Sequence, residues 1–372
     1  MPGSGSQCTM PLLLHKYIGK DIGKELKVSE LKNYTLSECL GKGGFGEVYL
    51  IKDKKETKYA LKVIDLQQID AGQKFEKEQK NYDLFMKNKD TCAKEFLNCY
   101  LGIYKTDKYG LILMNFFNQT LQGIMSGVPF FNQVLANKSI LSKYIRWVKE
   151  IVESISYMHK NNIAHGDIKP DNILVNTETN TIAVTDFDTI CANISCPIPS
   201  SVTNYYASPD LDETTTAKYK KSGHPVPIEI MKHSDWWATC MLILVMWFGS
   251  AQTIQKFPAM ISDFINEVTK ENSTVYNQIS SLIFTNSAQL RTLLLPEENK
   301  AIMDILLFSY NLLKFIGLQD PNVNDHIASY IKTIHNTPDF NNLKVVSQKG
   351  GSCDDYYKQK YFKYKAKYIA IK

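Results

Sequence analysis

The hydrophobic and polar positions divide the chain into a strand-rich first part and a helical second part. Between residues 34 and 66, three short runs of strand-forming residues are separated by glycine-rich or charged turns. Two further runs, 98–104 and 110–115, flank the polar turn 106–109. The pattern predicts a small β-rich unit within the first 117 residues.

Helical periodicity begins at residue 71 and dominates after residue 118. Residues 71–88 place Phe75, Tyr82 and Phe85 along one face, and residues 140–160 carry apolar side chains every three or four positions. The pattern predicts an α+β protein. Its expected parts are an N-terminal extension (1–30), a β-rich unit with one helix (31–117), a mainly helical unit (118–336), a linker (337–352) and a basic, tyrosine-rich C-terminal helix (353–372).

Charge is concentrated at one end of the chain. The formal net charge is +5, and residues 349–372 hold seven Lys and two Asp, so the remainder is close to neutral. No broad nucleic-acid-binding face is expected. The N-terminus lacks a signal-peptide pattern, and the apolar run 241–248 is far shorter than the roughly 20 residues that span a bilayer. We expect a soluble, cytoplasmic protein with no membrane partner.

The eight cysteines show no pairing pattern. None stands in a CxxC pair, and the spacing indicates neither a zinc site nor a disulfide framework. We expect scattered reduced thiols, as in an intracellular protein.

The segment 163–175, IAHGDIKPDNILV, holds the clearest candidate chemistry. Asp167 and Asn172 are five positions apart, with Lys169 between them. The same residue types also make ordinary turns. The string resembles the HRDxKxxN catalytic loop of eukaryotic-type protein kinases, with Gly166 where most members carry Arg. The resemblance implies a two-lobed kinase-like fold, in which the Asp orients the attacking hydroxyl and the Asn holds a metal ion.

A glycine-rich turn precedes this loop in the chain. Gly41, Gly43 and Gly46 match G-x-G-x-x-G, and Gly44 lies within the same turn. Glycines let backbone N–H groups approach phosphate oxygens. In a dinucleotide-binding fold a helix would follow, whereas strand-like residues 48–51 follow here. This favours the nucleotide clamp of kinases over a Rossmann fold.

The kinase resemblance implies further nucleotide-binding residues. Lys62, on the third strand, would contact the ATP phosphates and pair with a helix carboxylate, for which Glu78 is preferred to Glu76 because it shares the apolar face. The other implied contacts are Val48 and Ala60 at the roof of the adenine pocket, Met114 at its back, the backbone of Asn115 and Phe117 at the adenine edge, and Leu174.

Asp186-Phe187-Asp188 begins nineteen residues after Asp167, close to the separation of the kinase metal-binding motif. The resemblance implies that Asp186 and Asn172 hold Mg²⁺. Asp188 stands where the family has Gly, so the segment should switch conformation less freely. Its added carboxylate has two alternatives, to bind the metal or to face solvent.

The expected activation loop, 189–206, is stiffened by proline and ends in TNYYASPD. Thr203 and Tyr206 take the positions of the family's T-x-x-Y, and Asp210 replaces a Glu that pairs with a late Arg. The segment 317–334 resembles the region that carries this Arg but has none. An Arg at Gly166 would pair with a phosphorylated loop residue, so activity is expected not to depend on that phosphorylation.

Asp235 begins a long apolar stretch that resembles the buried central helix of the larger kinase lobe. Its carboxylate is expected to accept hydrogen bonds from the backbone of the catalytic loop. A helix N-terminal cap at Ser234 or Asp235 is the alternative.

These resemblances imply an ATP- and Mg²⁺-dependent kinase acting on protein hydroxyls. Lys169 and Thr203 favour Ser/Thr over Tyr specificity. A pseudokinase scaffold is the main alternative, because Gly166, Asp188 and Asp210 depart from the family pattern. A small-molecule kinase is a third hypothesis, which Lys169-Pro170 and TNYYASPD disfavour.

The tail has its own pattern. Its apolar and aromatic positions recur at intervals of four and three with Lys on other faces, which predicts a two-heptad helix that needs a partner or the kinase body. These positions are Tyr357, Tyr361, Tyr364, Tyr368 and Ile371. The tail is similar to one found on proteins of giant DNA viruses, which would imply the host cytoplasm or the virion.

Overall fold

The computed structural model describes residues 13–43, 46–81, 94, 96–98, 100–125, 128–192, 195–196, 206, 208–211, 213–249, 283, 285–338 and 340. Several expectations lie outside these residues and stay predictions. They concern Gly44, the second half of the 71–88 helix, Thr203 with most of the activation loop, and the tail 353–372.

A five-stranded antiparallel sheet forms the first lobe. Its spatial order is β1-β2-β3-β5-β4, so most strands that follow one another in the chain pair as hairpins. The glycine-rich turn joins Gly43 to Gly46 at the end of the first ladder. The strands are β1 (Thr35–Gly43), β2 (Gly46–Lys52), β3 (Lys58–Asp65), β4 (Tyr100–Lys105) and β5 (Tyr109–Asn115).

An N-terminal segment covers the outer face of this sheet. It includes the short helix α1 (Ile22–Glu25). Leu14, Ile22 and Leu31 are fully buried in one hydrophobic cluster with side chains of β1, β2, β3 and β5. Burying apolar side chains of this size stabilises the fold by about 1.5–3 kcal/mol each. The segment is therefore part of the packed lobe.

Glu47 in β2 ties this segment to the glycine-rich hairpin. Its Oε2 accepts the Leu13 N–H at 2.8 Å and the Tyr49 hydroxyl at 2.5 Å. Its Oε1 lies 3.1 Å from the Lys42 ammonium on the opposite strand. Glu47 is only 1% exposed, and a carboxylate so buried needs these donors.

Helix α2 (Ala71–Asn81) rests on the inner side of the sheet. Phe75 is buried, and its ring occupies the space above Gly110 in β5. A Cβ on Gly110 would lie 2.3 Å from the Phe75 ring, so glycine is required there by packing. Gly46 is held by the same constraint, because its Cβ would lie 2.3 Å from the carbonyl oxygen of Val63.

The second lobe is mainly helical. A small sheet of β6 (Gln119–Thr120), β7 (Ile173–Asn176) and β8 (Thr181–Val184) lies where the lobes join, and β9 (Ser195–Cys196) pairs with β10 (Val226–Pro227). The helices are α3 (Leu121–Met125), α4 (Phe130–Ala136), α5 (Ile140–Lys160), α6 (Glu213–Ser222), α7 (Ile228–Phe248), α8 (Pro296–Gly317) and α9 (Val323–His335).

Helix α7 is the centre of this lobe. Trp237 and Trp247 are almost fully buried, and the Trp247 ring lies 4.9 Å from that of Tyr144 on α5. Helices α5 and α8 pack against α7. The predicted two-lobed α+β fold is confirmed. Among the helices of the described residues, none is long and apolar enough to cross a membrane.

The expectation of reduced thiols is wrong for part of the chain. Cys191 and Cys196 form a disulfide across five positions, and Cys39 is also disulfide-bonded. The ladder of β9 and β10 and a backbone bridge between Cys191 and Ala164 bring the first two cysteines together. The spacing of the cysteines in the sequence does not predict this disulfide, because Cys191 and Cys196 do not form a CxxC pair. Cys240 is a buried free thiol, as expected.

Candidate active site

Three polar side chains of segment 163–175 meet at the Asp167 carboxylate. Asp167 Oδ2 accepts from Lys169 Nζ at 2.6 Å and from Asn172 Nδ2 at 3.0 Å. Asn172 Nδ2 also donates to the Asp167 backbone carbonyl at 2.8 Å. A 3₁₀ turn over Pro170–Asn172, with proline at its first position, returns the chain so that Asn172 faces Asp167.

Asp235 holds the backbone of this loop from below. Its two oxygens accept the N–H groups of His165 at 2.7 Å and Gly166 at 2.8 Å. The ring of His159 contacts the same carboxylate at 2.9 Å. The structure therefore contains the contact that the sequence predicts. The alternative of an N-terminal cap is wrong, because α7 begins at Ile228 and Asp235 lies two turns inside it.

Lys62 and Glu78 form a buried ion pair between β3 and α2. Nζ lies 2.5 Å from Oε1, and the Glu78 side chain is only 2% exposed. Glu76 is exposed, in agreement with the preference for Glu78. Burial raises the pKa of the Glu78 carboxyl, with the Lys62 charge opposing that shift. Burial alone would lower the pKa of Lys62, but the Glu78 and Asp188 carboxyl groups raise it, so the lysine stays charged.

Phe187 connects the catalytic loop to the first lobe. Its fully buried ring lies 5.7 Å from the His165 ring and 6.1 Å from the Tyr100 ring of β4. The His165 ring also contacts the carbonyl of Thr185 at 3.0 Å. Asp186, between these contacts, takes a left-handed backbone conformation with φ +66°, uncommon for a residue with a side chain. Packing on both sides maintains this conformation.

The Asp188 carboxylate does not simply face solvent, whereas the alternative that it binds the metal stays a prediction. It lies 3.6 Å from Lys62 Nζ, and the Asp188 side chain is 31% exposed. Burial would raise the pKa of this carboxyl, but the positive charges of Lys62 and Lys77 lower it. The Asp188 backbone carbonyl accepts from Lys77 Nζ on α2. The residue is engaged with the ion pair rather than with solvent.

Two oxygen groups at the site suit a hard divalent cation. Asp186 supplies a carboxylate, and Asn172, whose Nδ2 is bonded to Asp167, has its amide oxygen as the remaining ligand atom. The described residues include no cluster of three or more His, Cys, Asp or Glu side chains that could hold a metal alone. Mg²⁺ is typically held by one or two protein oxygens together with phosphates and water, so this donor set fits it.

The predicted adenine-pocket residues lie at neighbouring strand positions. Val48 pairs with Lys62, and Ala60 pairs with Met114. Ala60 and Lys62 are two positions apart on β3 and so share one face of the sheet. Asn115 ends β5, Phe117 follows in the connection to β6, and Leu174 lies in β7. No heavy atom lies within 4 Å of the position that a Cβ on Gly41 would take. Contacts of all these residues with a nucleotide stay predictions.

Two contacts near the site have no counterpart in the sequence-based predictions. The Tyr100 hydroxyl donates to Glu78 Oε2, and no sequence signal marks this strand tyrosine as a partner. Gln319 Nε2 donates to Asp210 Oδ1 at 2.6 Å. The sequence located the two segments correctly, but the replacement of their ion pair by an amide–carboxylate hydrogen bond is visible only in the fold.

Most of the chain matches one protein family. Residues 34–307 match the model of the protein kinase domain, nearly three quarters of the sequence. The chain belongs to the protein kinase family. The match begins at the first strand of the β-rich lobe and ends within α8.

Three similar proteins from the comparison share between a quarter and a third of the aligned residues. A probable myosin light chain kinase of Dictyostelium discoideum is 28% identical over 187 residues, 46% of this chain and 52% of that protein. A probable serine/threonine-protein kinase of the same organism is 25% identical over 234 residues, 60% and 48%. Calcium-dependent protein kinase 4 of Plasmodium berghei is 31% identical over 149 residues, 40% and 26%. The matches thus span about a quarter to a half of these relatives' own lengths.

Proposed function

We propose that this protein kinase transfers the γ-phosphoryl group of ATP to Ser or Thr hydroxyls of protein substrates, with Mg²⁺ as its metal. The observation that carries the proposal is the convergence of Lys169 and Asn172 on Asp167, below the Lys62–Glu78 ion pair of the other lobe. The relatives named as serine/threonine kinases support the hydroxyl class.

Each side chain has a role that follows from its contacts. Asp167 Oδ2 accepts the proton of the attacking hydroxyl late in the transfer, and Lys169 on the same oxygen offsets negative charge on the transferred group. Lys62, oriented by Glu78, contacts the α- and β-phosphates. Asn172 and Asp186 would hold Mg²⁺, which neutralises charge on the phosphates when it is bound.

We also propose that activity does not require phosphorylation of the activation segment. Gly166 has no side chain to bind a phosphate. The start of the segment is instead bonded directly to the catalytic loop: Thr189 Oγ1 donates to the His165 carbonyl at 2.8 Å, and Cys191 and Ala164 exchange two backbone hydrogen bonds of 2.8 and 2.9 Å. These contacts supply an attachment that needs no modification.

The catalytic proposal is tested by Asp167→Asn, with Asp107→Asn in an exposed turn as the matched control. Loss of the proton acceptor should lower kcat by about 10²- to 10⁴-fold, while the control keeps full activity. The assay is Mg²⁺-dependent transfer from labelled ATP to peptides offering Ser, Thr or Tyr. Equal transfer by wild type and Asp167→Asn would favour the pseudokinase hypothesis, and transfer to sugars alone would favour a small-molecule kinase.

The second proposal is tested by treating the purified enzyme with a phosphatase. Specific activity should be unchanged. The Ser200→Ala, Ser201→Ala double variant should match wild type, with Thr203→Ala assayed separately because Thr203 also takes a structural position in the family pattern. Loss of activity in step with loss of phosphate would contradict the proposal.

The remaining proposals concern partners and location. We propose a cytoplasmic protein whose tail, 353–372, binds a partner helix or assembly through its tyrosine seam. Pull-down with the full chain and with a chain ending at residue 352 tests this: a partner held equally by both would contradict it.

A further inference from the structure

A tyrosine of the edge strand β4 lies on the same face of the sheet as the ion pair between β3 and α2. The backbone register pairs Tyr100 with Met114 of β5, and Met114 with Ala60 of β3, so the three side chains form one row across the sheet. Lys62 is two positions from Ala60 and shares that face. Tyr100 is only 3% exposed and belongs to the same hydrophobic cluster as Ala60 and Met114. The order of the strands therefore brings a buried phenol group to the face that carries Lys62.

The Tyr100 hydroxyl and the Lys62 ammonium bind different oxygens of one carboxylate. Lys62 Nζ lies 2.5 Å from Glu78 Oε1, and the Tyr100 hydroxyl donates to Glu78 Oε2. A carboxylate with a donor on each oxygen cannot rotate about its last side-chain bond without breaking one of these hydrogen bonds. Glu78 is only 2% exposed, so water has little access to replace a lost donor. The phenol therefore fixes which oxygen of Glu78 faces Lys62.

The ring of Tyr100 is held in place independently of its hydroxyl. It lies edge-on to the fully buried ring of Phe187, with the ring centres 6.1 Å apart. Of the described residues of α2, Ala71, Phe75 and Glu78 are buried, so apolar packing holds mainly the first half of the helix. The hydrogen bond from a fixed ring adds an attachment of α2 at Glu78, where the position of the helix bears on the ion pair.

Lys62 has a second carboxylate within reach. The Asp188 carboxylate lies 3.6 Å from Lys62 Nζ, whereas Glu78 Oε1 lies 2.5 Å from it. Two carboxylates near one ammonium compete for it, and the ammonium follows the one that is better placed. The glycine expected at position 188 in the kinase family offers no such competitor. Fixing the Glu78 carboxylate therefore matters more in this chain.

We propose that Tyr100 is a positioning residue, whose hydroxyl holds α2 at Glu78 and keeps the Glu78 carboxylate turned toward Lys62. The hydroxyl carries this role rather than the ring, because phenylalanine would keep the ring packing and lose the donor. Tyr100 acts on the nucleotide only through Glu78 and Lys62. The proposal deepens the proposed function, on which its consequence for catalysis rests.

The test removes the hydroxyl alone. In Tyr100→Phe, kcat/KM for ATP should fall about tenfold, because Glu78 loses a hydrogen bond to its charged form and Lys62 is less well placed to contact the phosphates. The KM for the peptide substrate should not change. Tyr144→Phe is the matched control, since its hydroxyl is also buried and donates to the Ile243 carbonyl at 3.2 Å in the second lobe. Both variants lose one buried hydrogen bond and should lose similar melting temperature, but only Tyr100→Phe should lose activity.

Two further measurements separate positioning from a general loss of stability. Para-aminophenylalanine at position 100 returns a donor to the same place and should recover part of the activity. Hydrogen exchange of the α2 amides, residues 71–81, should be faster in Tyr100→Phe than in wild type and Tyr144→Phe. Exchange or kcat/KM equal to wild type in Tyr100→Phe, or no recovery with the amine, would overturn the proposal. If the wild type transfers no phosphate, the proposed function fails, and exchange alone decides the role of Tyr100.

Discussion

Replacing Gly166 by alanine tests the geometry next to Asp167, the proposed proton acceptor. Gly166 has φ +81°, and a Cβ there would lie 3.0 Å from the Met231 methyl carbon and 3.0 Å from the Thr189 carbonyl oxygen. The Met231 methyl ends a flexible side chain and can move. The Thr189 carbonyl belongs to a residue whose hydroxyl is bonded to His165, so it has little freedom to move.

The expected cost has two parts. A residue with a Cβ at positive φ costs about 1–2 kcal/mol. Contact of the new methyl group with a fixed carbonyl adds about 1 kcal/mol, at the low end of overpacking costs. Gly166→Ala should therefore lower the free energy of unfolding by about 2–3 kcal/mol, or lower kcat if the loop shifts to accommodate the methyl group.

Gly19→Ala is the matched control. Gly19 has the same φ of +81°, but no heavy atom lies within 4 Å of the position that the new methyl group would take. It should show only the backbone cost of about 1–2 kcal/mol and full activity. Urea unfolding with tryptophan fluorescence and steady-state ATP turnover measure both effects. If Gly166→Ala costs no more than Gly19→Ala and leaves kcat unchanged, the crowding described at the catalytic loop is wrong.

Three further predictions concern contacts outside the ion pair. Asp235→Asn should destabilise the fold by about 1–3 kcal/mol and lower kcat. The reason is that the N–H group of either His165 or Gly166 would then face an amide donor instead of a carboxylate oxygen. A kcat equal to that of wild type would contradict this prediction. Cys191→Ser with Cys196→Ser should remove a loop constraint worth roughly 2 kcal/mol. Titration of the denatured, unreduced protein should count the same number of free thiols as in wild type, because the two replaced cysteines are bonded to each other; two fewer thiols would contradict the disulfide. Gln319→Arg should form an ion pair with Asp210 worth up to about 1 kcal/mol that weakens at high salt; a salt-independent gain would exclude the ion pair.

Sequence patterns predict structural features that depend on residues close to one another in the chain. The separation of Asp167 and Asn172 is enough to place both on one turn, and the apolar face of α2 distinguishes Glu78 from Glu76. The strand pattern around the glycine-rich turn likewise predicts the hairpin. In each case the deciding residues are within a few positions of one another, where periodicity and turn chemistry apply.

Contacts between distant segments are harder to predict. The side chain of Asp188 could be assigned to a metal or to solvent, because nothing near it in the chain indicates that β3 brings the Lys62 ammonium within 3.6 Å of it. The Cys191–Cys196 disulfide joins positions only five apart, but its two cysteines lie in backbone pairs with the distant residues Ala164 and Val226. Such contacts depend on the fold and cannot be predicted from the spacing of residues in the sequence.

The hydrogen bond from Leu13 to Glu47 connects the N-terminal segment to the glycine-rich hairpin. Similarity to the kinase family begins only at residue 34, yet the carboxylate next to Gly46 is satisfied in part by a backbone group from before that boundary. A fragment cut at residue 34 would expose the outer face of the sheet and leave Glu47 short of a donor inside the hairpin. The hairpin that carries Gly43 and Gly46 is thus held partly by residues that precede the kinase-domain match.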